Sequence, residues 1–285
     1  MKCEYFFIKI LKFYPKRFGS LVVGWIVSFE LPVFFRVYLL SKFVKAYKID
    51  MTEAELPLEE YPSLQALFSR RLRIGVRTQS AAVPGVVNSP VDGSIIACGR
   101  ITAGLAVQAK GLSYRIEELL KHDIYARRFE GGHYLTIYLS PKDYHHVHVP
   151  IFGNVKTVSK VDGELWPVND VTTRRVFHLY ERNRRVVWTA DGSGFDEGLE
   201  VAIVLVGATH VGNITIDKRW LSGQQLPKDG IISSGGQRCQ IGEELGAFQL
   251  GSTVILLIGG SRAAEWETNI CDGTVSVGQK LGNFI

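Results

Sequence analysis

The sequence predicts an α+β protein that is mainly β, with a β-rich sandwich or barrel-like core and an N-terminal helical segment that associates with membranes. Two observations favour this fold class. Residues 1–48 combine aromatic and basic side chains, whereas short apolar runs separated by Gly, Asp and Asn begin at about residue 83. Regular short strands with glycine turns are typical of sandwiches and barrels. We therefore expect two parts, 1–48 as the membrane-associating segment and 49–285 as a β-rich domain.

The composition is that of a globular protein. The chain has 285 residues, 46% of them hydrophobic and 21% charged, enough to bury a sizeable core. The net charge is +5, but residues 1–48 contain nine Lys or Arg against Glu4 and Glu30, which leaves −2 for the remainder. A nearly neutral body lacks the basic face of a nucleic-acid-binding protein, so no nucleic-acid partner is expected.

The N-terminal segment holds thirteen of the 31 aromatic residues. Its longest apolar stretch, "GSLVVGWIVSFELPVFFRVYLL", is interrupted by Glu30, Pro32 and Arg36, whereas a spanning helix needs about 20 apolar residues. No small-residue cleavage site follows, so no signal peptide is expected. Basic and aromatic side chains enriched together are the signature of interfacial helices. We expect one or two such helices in a peripheral or monotopic protein; the alternative is a helical pair packed on the body.

The cysteines are expected to be free, buried thiols in a reducing compartment. No two of them form a CxxC pair, and their spacings fit neither a zinc site nor a small disulfide scaffold. The four residues are Cys3, Cys98, Cys239 and Cys271.

The body begins with a short helix, predicted from about Leu64 to Arg71, and continues as strands. The predicted strands are "SIIACG", "YLTIYL", "VHVPIFG", "VAIVLVG" and "STVILLIGG". Only "YRIEELLKHDI" interrupts them with a helical pattern. The chain contains neither GxGxxG nor a P-loop, which removes the usual signals for dinucleotide and nucleoside triphosphate binding.

One strand has an unusual beginning. In "FQLGSTVILL", Gly251 and Ser252 precede the unbroken apolar run Val254–Ile258, which is typical of a buried strand. A turn explains Gly followed by hydroxyl residues without further assumptions. The alternative is a reactive serine, which requires a base to activate it.

Histidines are clustered in "LSPKDYHHVHVP" and supply candidate bases. Ser140 and Asp143 around a proline predict an N-cap and one helical turn, followed by a strand from about His146. In a turn, His145 and His148 would face one pocket while His146 faces outward. In a strand throughout, His146 and His148 would share a face and His145 would oppose them. No further residue completes a familiar metal-ligand spacing, so no metal is expected.

A base of this kind is usually oriented by a carboxylate. Asp92 in "SPVDGS" lies at a predicted turn before the strand "SIIACG". Ordinary turn chemistry accounts for an Asp at this position. Asp92, His148 and Ser252 become a candidate set only when they are considered together.

These motifs resemble phosphatidylserine decarboxylases, the pyruvoyl-dependent membrane enzymes, in their bacterial short form. The resemblance covers about residues 62–260 and the C-terminus more loosely. The combination of "GEELGAFQLGST" with "SPKDYHHVH" is its most specific part. The remaining matching stretches are "SPVDGSI", "VQAKGLSYRIEELL", "YLTIYL", "FGNVKTVSKVDGELWPVN", "ERNRRVV" and "VLVGATHVGNI".

The resemblance implies a proenzyme that cleaves itself between Gly251 and Ser252. His148, held by Asp92, would be the base of this charge relay, and the products would be a large chain, 1–251, and a small chain, 252–285. Ser252 would become a pyruvoyl group at the start of the small chain, and the substrate amine would form a Schiff base with it. This covalent cofactor would need no metal and no pyridoxal phosphate.

The resemblance also implies phosphatidylserine as the substrate and phosphatidylethanolamine and CO₂ as the products. His145 resembles the family residue associated with decarboxylation. The basic, aromatic segment 1–48 agrees independently with a lipid substrate, and the expected location is the cytoplasmic face of the cell membrane. Assembly into a homo-oligomer is left open. His146 departs from the Arg that many members carry at this position.

Three other functions remain as alternatives. A pyruvoyl enzyme for a soluble amino acid would also cleave itself, but it would not need the aromatic, basic N-terminus. A non-catalytic β-rich module that binds lipid surfaces would remain one intact chain. A serine hydrolase acting through Ser252, His148 and Asp92 would also remain intact, and the chain lacks the GxSxG elbow that many such enzymes carry.

Overall fold

The computed structural model describes residues 8–9, 11, 15–78, 83–109, 111–209, 214–249, 252–268 and 270–284, and of Ser252 it describes the backbone only. The α-helices within these ranges are α1 (Lys16–Ser28), α2 (Val33–Tyr47), α3 (Leu64–Phe68), α4 (Ile116–Leu120), α5 (Asp123–Arg127), α6 (Asp170–Arg175) and α7 (Leu179–Arg182). Short 3₁₀ helices span Leu58–Glu60, Lys218–Leu221 and Ala263–Glu265.

Strands make up most of the regular secondary structure of the body, as the predicted α+β, mainly β class requires. In chain order they are β1 (Val87–Asn88), β2 (Gly93–Arg100), β3 (Leu105–Ala109), β4 (Leu112–Arg115), β5 (His133–Leu139), β6 (His146–His148), β7 (Gly153–Val161), β8 (Arg185–Asp191), β9 (Glu200–Val206), β10 (Ile214–Ile216), β11 (Gly230–Ser233), β12 (Arg238–Cys239), β13 (Glu244–Phe248), β14 (Ser252–Gly259), β15 (Trp266–Thr268), β16 (Thr274–Val275) and β17 (Lys280–Phe284).

A large antiparallel sheet forms the core. Its strands lie in the order β11, β7, β8, β9, β14, β5, β2 and β16, with β12 also paired to β7. The middle strands β8, β9 and β14 are covered on both faces, and Val254–Ile258 of β14 are fully buried. A strand buried on both faces needs apolar residues at every position, which explains the unbroken run after Ser252. The predicted buried strand is confirmed.

Two three-stranded sheets lie beside the core sheet. One has the order β10, β13, β6 and carries the histidine cluster. The other has the order β1, β17, β15 and joins the strand before the "SPVDG" turn to the C-terminal residues. Strands β3 and β4 form a separate hairpin. The histidine strand is therefore held by β13, the last strand before the Gly-Ser-Thr sequence.

The predicted helices are present, with different ends. Helix α3 begins at Leu64, where Ser63 accepts a hydrogen bond from Ala66 N, but it ends at Phe68 rather than Arg71. The chain after it is extended, because the Arg71 carbonyl accepts a hydrogen bond from Glu55 N. The helical pattern "YRIEELLKHDI" forms α4 and α5, separated by a turn.

Helices α1 and α2 form the described part of the N-terminal segment and expose many apolar side chains. No single helix in the described ranges is long and apolar enough to cross a membrane; α1 from residue 18 onward and α2 pass such a test only as a pair bent by 119°. The most exposed large apolar side chains of this pair are Phe34 (81%), Leu21 (72%), Trp25 (68%), Phe18 (67%) and Phe35 (63%).

The N-terminal helices are connected to the body through a small apolar cluster. Leu40 of α2 is buried together with Tyr61 and with Leu67 of α3. Arg36 adds a hydrogen bond from Nη2 to the Glu59 carbonyl at 3.1 Å. Helix α3 therefore lies between the exposed apolar helices and the part of the body that carries the histidines.

The prediction of free thiols is wrong for two cysteines. Cys98 on β2 and Cys271 just before β16 form a disulfide across a sequence separation of 173 residues. The two strands pair side by side, which brings the cysteines within bonding distance. Cys239 is a buried free thiol, as predicted, and burial raises its pKa to about 12. Cys3 lies outside the described residues.

Candidate active site

The segment that contains Gly251 and Ser252 runs between two neighbouring strand pairs. Before it, Phe248 N at the end of β13 donates to the His145 carbonyl at 3.0 Å. After it, Ser252 at the start of β14 lies opposite Leu139 at the end of β5. Only three residues separate these two anchors, so the segment can extend at most about 11 Å from Phe248. Gly251 and the Ser252 side chain lie outside the described part of the structure.

The turn between β5 and β6 differs from the predicted helical turn. Ser140 does not cap a helix; its backbone N and Oγ both donate to the Asp143 carboxylate, each at 2.7 Å. Asp143 N donates back to the Ser140 carbonyl at 2.9 Å. These reciprocal bonds close a tight turn of four residues, Ser140 to Asp143, but the turn is not continued as an α-helix because the chain becomes extended at β6. The strand predicted to follow at His146 is confirmed as β6.

The alternating strand geometry decides how the histidines face. The Tyr144 ring stacks on His146, with ring centroids 5.0 Å apart, and also contacts His148 at 5.6 Å. These three residues therefore share one face, and His145 packs on the other side against the Phe68 ring at 4.0 Å. The turn interpretation, with His146 facing outward, is wrong; His146 is only 5% exposed.

His145 is completely buried. Its Nδ1 lies 2.8 Å from the Asp143 carbonyl oxygen, which can only accept, so Nδ1 carries the proton. Its Nε2 then has a free lone pair and no described partner. The pKa of His145 is lowered to about 3, chiefly by burial and also by the charges of Arg70 and His146, while the hydrogen bond to the Asp143 carbonyl acts in the opposite direction. His145 is therefore a neutral imidazole with one unoccupied basic nitrogen.

His146 bridges two oxygen atoms. Its Nδ1 lies 3.0 Å from Glu244 Oε1, and its Nε2 lies 3.0 Å from the Ser69 carbonyl oxygen. Glu244 is also paired with Arg71 at 2.8 Å. Burial raises the pKa of Glu244, but the hydrogen bonds and charges of His146 and Arg71 outweigh it and bring the pKa to about 2. His146 thus fastens β6 to β13 and to the end of α3.

His148 is half-buried and has two side-chain contacts. Nδ1 donates to the Gly242 carbonyl at 2.8 Å, and Nε2 lies 3.3 Å from the Tyr144 hydroxyl. Burial lowers the pKa of His148, while the Gly242 contact and the charges of Glu244 and Asp92 act in the opposite direction. The carbonyl contact fixes the tautomer with an unprotonated Nε2, the form that a general base requires, and the Tyr144 hydroxyl can donate to this nitrogen.

Asp92 is buried close to His148, but among the described contacts no hydrogen bond joins their side chains. The backbones are adjacent, since His148 N donates to the Pro90 carbonyl at 2.8 Å. The Asp92 carboxylate instead binds Arg77, with Nη2 to Oδ2 at 2.5 Å, and accepts the Val277 N–H at 2.7 Å. Asp92 therefore acts on His148 through its charge, and the Gly242 carbonyl is the atom that orients the ring.

Several site residues were not identified from the sequence. Arg70 is 4% exposed and donates from Nη2 to the Lys142 carbonyl at 2.5 Å. Arg77 joins Asp92 to Glu53, and Gln65 of α3 donates to the Gln249 side chain at 2.7 Å. The run "SRRLRIGVR", which begins in the last turn of the helix predicted from Leu64 to Arg71, is the signal that could have drawn attention to both arginines. Within the described residues, no group of three or more His, Cys, Asp or Glu side chains is placed to hold a metal.

Comparisons with known proteins show the family to which the chain belongs. The family profile described as "Phosphatidylserine decarboxylase" matches residues 64–283. The chain is similar to a protein of Anaeromyxobacter sp. (strain K) named "Phosphatidylserine decarboxylase proenzyme", with 37% identity over 97% of both chains. A protein of the same name from Ectopseudomonas mendocina (strain ymp) is 40% identical over 86% of both chains. Another, from Myxococcus xanthus (strain DK1622), is 35% identical over 97% of both chains.

Proposed function

Since the chain belongs to the phosphatidylserine decarboxylase family, we propose that it is a self-processing, pyruvoyl-dependent enzyme that converts phosphatidylserine to phosphatidylethanolamine and CO₂. One observation carries the proposal most directly. The three residues before Ser252 run between a strand pair anchored at His145 and one anchored at Leu139. The same turn and strand supply two neutral imidazoles, each with a basic Nε2. A self-cleaving serine needs such a base nearby.

Self-cleavage would begin with proton transfer from Ser252 Oγ to His148 Nε2. The hydroxyl oxygen would attack the Gly251 carbonyl carbon, and the peptide bond would become an ester. Gly251 favours this attack because glycine leaves its carbonyl open and permits strained backbone angles. The Asp92 charge stabilises the imidazolium that forms on His148. Cleavage of the ester by elimination would release a large chain, 1–251, from a small chain, 252–285.

The pyruvoyl group formed from Ser252 would supply a ketone that withdraws the electron pair left when the substrate loses CO₂. The residues present fit such a group: β14 is buried from Thr253 to Ile258, and the backbone of its first residue, Ser252, pairs with Leu139. The unoccupied Nε2 of His145 fits a proton-handling role beside it.

His145 is proposed to hold and return the proton in the decarboxylation half of the reaction. In the free protein it is neutral, because burial holds its pKa at about 3. An anionic substrate entering the same dry site favours the protonated ring. Proton delivery from Nε2 to the substrate carbon then restores the neutral ring. Its Nδ1 stays bound to the Asp143 carbonyl throughout and keeps the ring in one orientation.

The N-terminal helices are proposed to bring this site to a lipid surface. Helices α1 and α2 expose Trp25 and several Phe side chains, and segment 1–48 has a net charge of +7 against −2 for the rest of the chain. Aromatic and basic residues together favour interfacial binding to anionic lipid. The expected cytoplasmic location stays a prediction, and the Cys98–Cys271 disulfide is of a type more frequent in oxidising compartments.

The test of self-processing is the intact mass of the purified chain under denaturing and reducing conditions. We expect fragments 1–251 and 252–285, the smaller lighter by one ammonia than a fragment that begins with free Ser. Ser252→Ala should remain one chain, and the exposed Ser261→Ala should be cleaved normally. A wild-type chain that stays intact after long incubation would contradict the proposal and favour the lipid-binding module.

The test of substrate compares CO₂ release from phosphatidylserine vesicles and from free serine. Activity on phosphatidylserine alone is expected. Equal or greater activity on free serine would favour a decarboxylase of soluble amino acids.

A further inference from the structure

Arg70 has an unusual position for an arginine. Its side chain is 4% exposed, yet Nε and Nη1 have no hydrogen-bond partner among the described atoms. Only Nη2 is bound, to the carbonyl oxygens of Lys142 at 2.5 Å and Asp143 at 3.4 Å. No described carboxylate forms a salt bridge with it, although a buried charge without an ion partner is costly. An anion bound beside Arg70 would offset that cost.

The unpartnered nitrogens lie beside the candidate active site. Arg70 Nη2 and His145 Nδ1 both contact the Asp143 carbonyl oxygen, at 3.4 Å and 2.8 Å. The guanidinium and the imidazole therefore lie side by side, and the imidazole's Nε2 is unpartnered as well. The Phe68 ring, two residues before Arg70, covers His145. An anionic ligand of Arg70 would consequently be close to the atoms that react.

The surrounding elements follow the order of the parts of a phospholipid. Leu67 packs with Leu40 of the apolar helix α2, Arg70 follows at the end of α3, and His145 lies beyond it. A phospholipid has acyl chains, then a phosphodiester, then the headgroup amine and carboxylate. If the acyl chains lie against α2 and the reacting serine lies at His145, the phosphodiester between them lies next to Arg70.

The chemistry of the reaction also favours the phosphodiester over the carboxylate. The substrate carboxylate loses its charge as CO₂ leaves, so an ion pair with Arg70 would stabilise the ground state more than the transition state. The phosphodiester keeps its charge throughout, and binding it stabilises both states equally. A guanidinium is well suited to phosphate oxygens.

We infer that Arg70 binds the phosphodiester of the lipid headgroup and so positions the serine moiety at His145. This inference rests on the proposed function and deepens it. Arg70 is a substrate-binding residue in this scheme, and it takes part in neither self-cleavage nor proton transfer.

The test uses purified, self-cleaved protein and short-chain phosphatidylserine below its micelle concentration, so that membrane binding does not enter. Arg70→Gln should raise KM at least tenfold and change kcat less than threefold, because it removes uniform binding. Arg70→Lys keeps the positive charge, so its KM should lie between those of the wild type and Arg70→Gln. Arg73→Gln is the matched control: Arg73 is exposed three residues further on, and we expect KM to stay within twofold.

Short-chain phosphatidylethanolamine separates the two anions, because it keeps the phosphodiester and lacks the carboxylate. Its inhibition constant should rise in Arg70→Gln by the same factor as KM. An unchanged inhibition constant would assign Arg70 to the carboxylate and overturn the inference. Failure of both Arg70 variants to self-cleave, or a fall in kcat with KM unchanged, would overturn it as well. Wild-type protein without activity on phosphatidylserine would instead defeat the proposed function.

Discussion

Arg77 clamps the Asp92 carboxylate, with Nε 3.0 Å from Oδ1 and Nη2 2.5 Å from Oδ2. The same guanidinium binds both oxygens of Glu53 at 2.9 Å, and Asp92 accepts the Val277 N–H as well. The pKa of Arg77 is raised, chiefly by its hydrogen bond to Asp92, with burial opposing the shift. This cluster joins segment 49–78 to the C-terminal strands at the back of the histidine site.

Removing this guanidinium should be costly. Arg77→Met leaves two acidic side chains without their shared cation, so the free energy of unfolding should fall by about 3 kcal/mol. Urea denaturation at pH 7 measures the loss, and exposed Arg73→Met should stay within about 0.5 kcal/mol of wild type. Combining Arg77→Met with Asp92→Asn should recover part of the loss; purely additive losses would show that the clamp has no coupling energy.

The His148 tautomer predicts the pH profile of self-cleavage. The base must be neutral, and burial lowers the pKa of His148 below its ordinary value of 6.5. The cleavage rate of freshly translated chain should therefore fall on acidification with a midpoint below pH 6.5. An inflection at or above pH 7 would contradict this assignment.

Two variants refine the assignment of His148. His148→Gln should abolish cleavage, because it removes the base. Tyr144→Phe removes only the hydroxyl at 3.3 Å from Nε2 and should slow cleavage less than about tenfold, as expected for loss of one neutral hydrogen bond. Cleavage is followed by denaturing electrophoresis in the presence of reductant. If Tyr144→Phe is as inactive as His148→Gln, Tyr144 takes part in the proton transfer.

His145 should make the fold sensitive to acid. Its pKa is about 3 in the folded protein and 6.5 as a model value, so between these pH values the unfolded chain binds the extra proton. The contribution of neutral, buried His145 to the free energy of unfolding is fully present above pH 6.5 and is lost as the pH falls toward 3. In an uncleaved Ser252→Ala background, the free energy of unfolding of the chain with His145, measured relative to the His145→Gln chain, should fall by about 1.4 kcal/mol for each unit by which pH is lowered between pH 6 and 4.5. Parallel stability curves for the two proteins would contradict a buried, neutral His145.

The exposed rings of α1 and α2 should carry the binding to lipid. Phe34→Ser removes an aromatic side chain that is 81% exposed and should weaken partitioning into anionic vesicles roughly tenfold, as expected from the loss of about 1.5 kcal/mol of apolar burial. Phe177, on the body and 67% exposed, supplies the matched control Phe177→Ser. If the two substitutions weaken vesicle binding equally in a sedimentation assay, the assignment of the lipid contact to α1 and α2 is wrong.

Local patterns predicted the parts of the structure that local chemistry determines. The apolar run after Ser252 is a strand because a doubly covered strand tolerates little else. The start of α3 at Leu64 follows from the Ser63 cap. The side of the chain on which His145 lies could not be predicted, because a helical turn would place it beside His148 and a strand would place it opposite. The Ser140–Asp143 bonds close the turn before His145, and the histidines then follow strand geometry.

Contacts between distant parts of the chain were the main omission. The Arg77–Asp92 clamp depends on how segment 49–78 folds back onto the turn that carries Asp92, and nothing in either local sequence specifies that path. The disulfide joins residues 173 positions apart, and cysteine spacing alone does not determine such a pairing. Arg70 resembles any surface arginine until its burial is known.

The Cys98–Cys271 bond changes the molecularity of unfolding. Cys98 lies before the proposed cleavage point and Cys271 after it. A protein cut into two unlinked chains would unfold by dissociation, and its midpoint would shift with protein concentration. With the bond intact, the two fragments form one covalent molecule, so unfolding remains first-order. The 34-residue fragment stays attached and can return to its place in the sheets when the protein refolds. Reductant would convert this protein from a self-tethered molecule into a heterodimer that can be diluted apart.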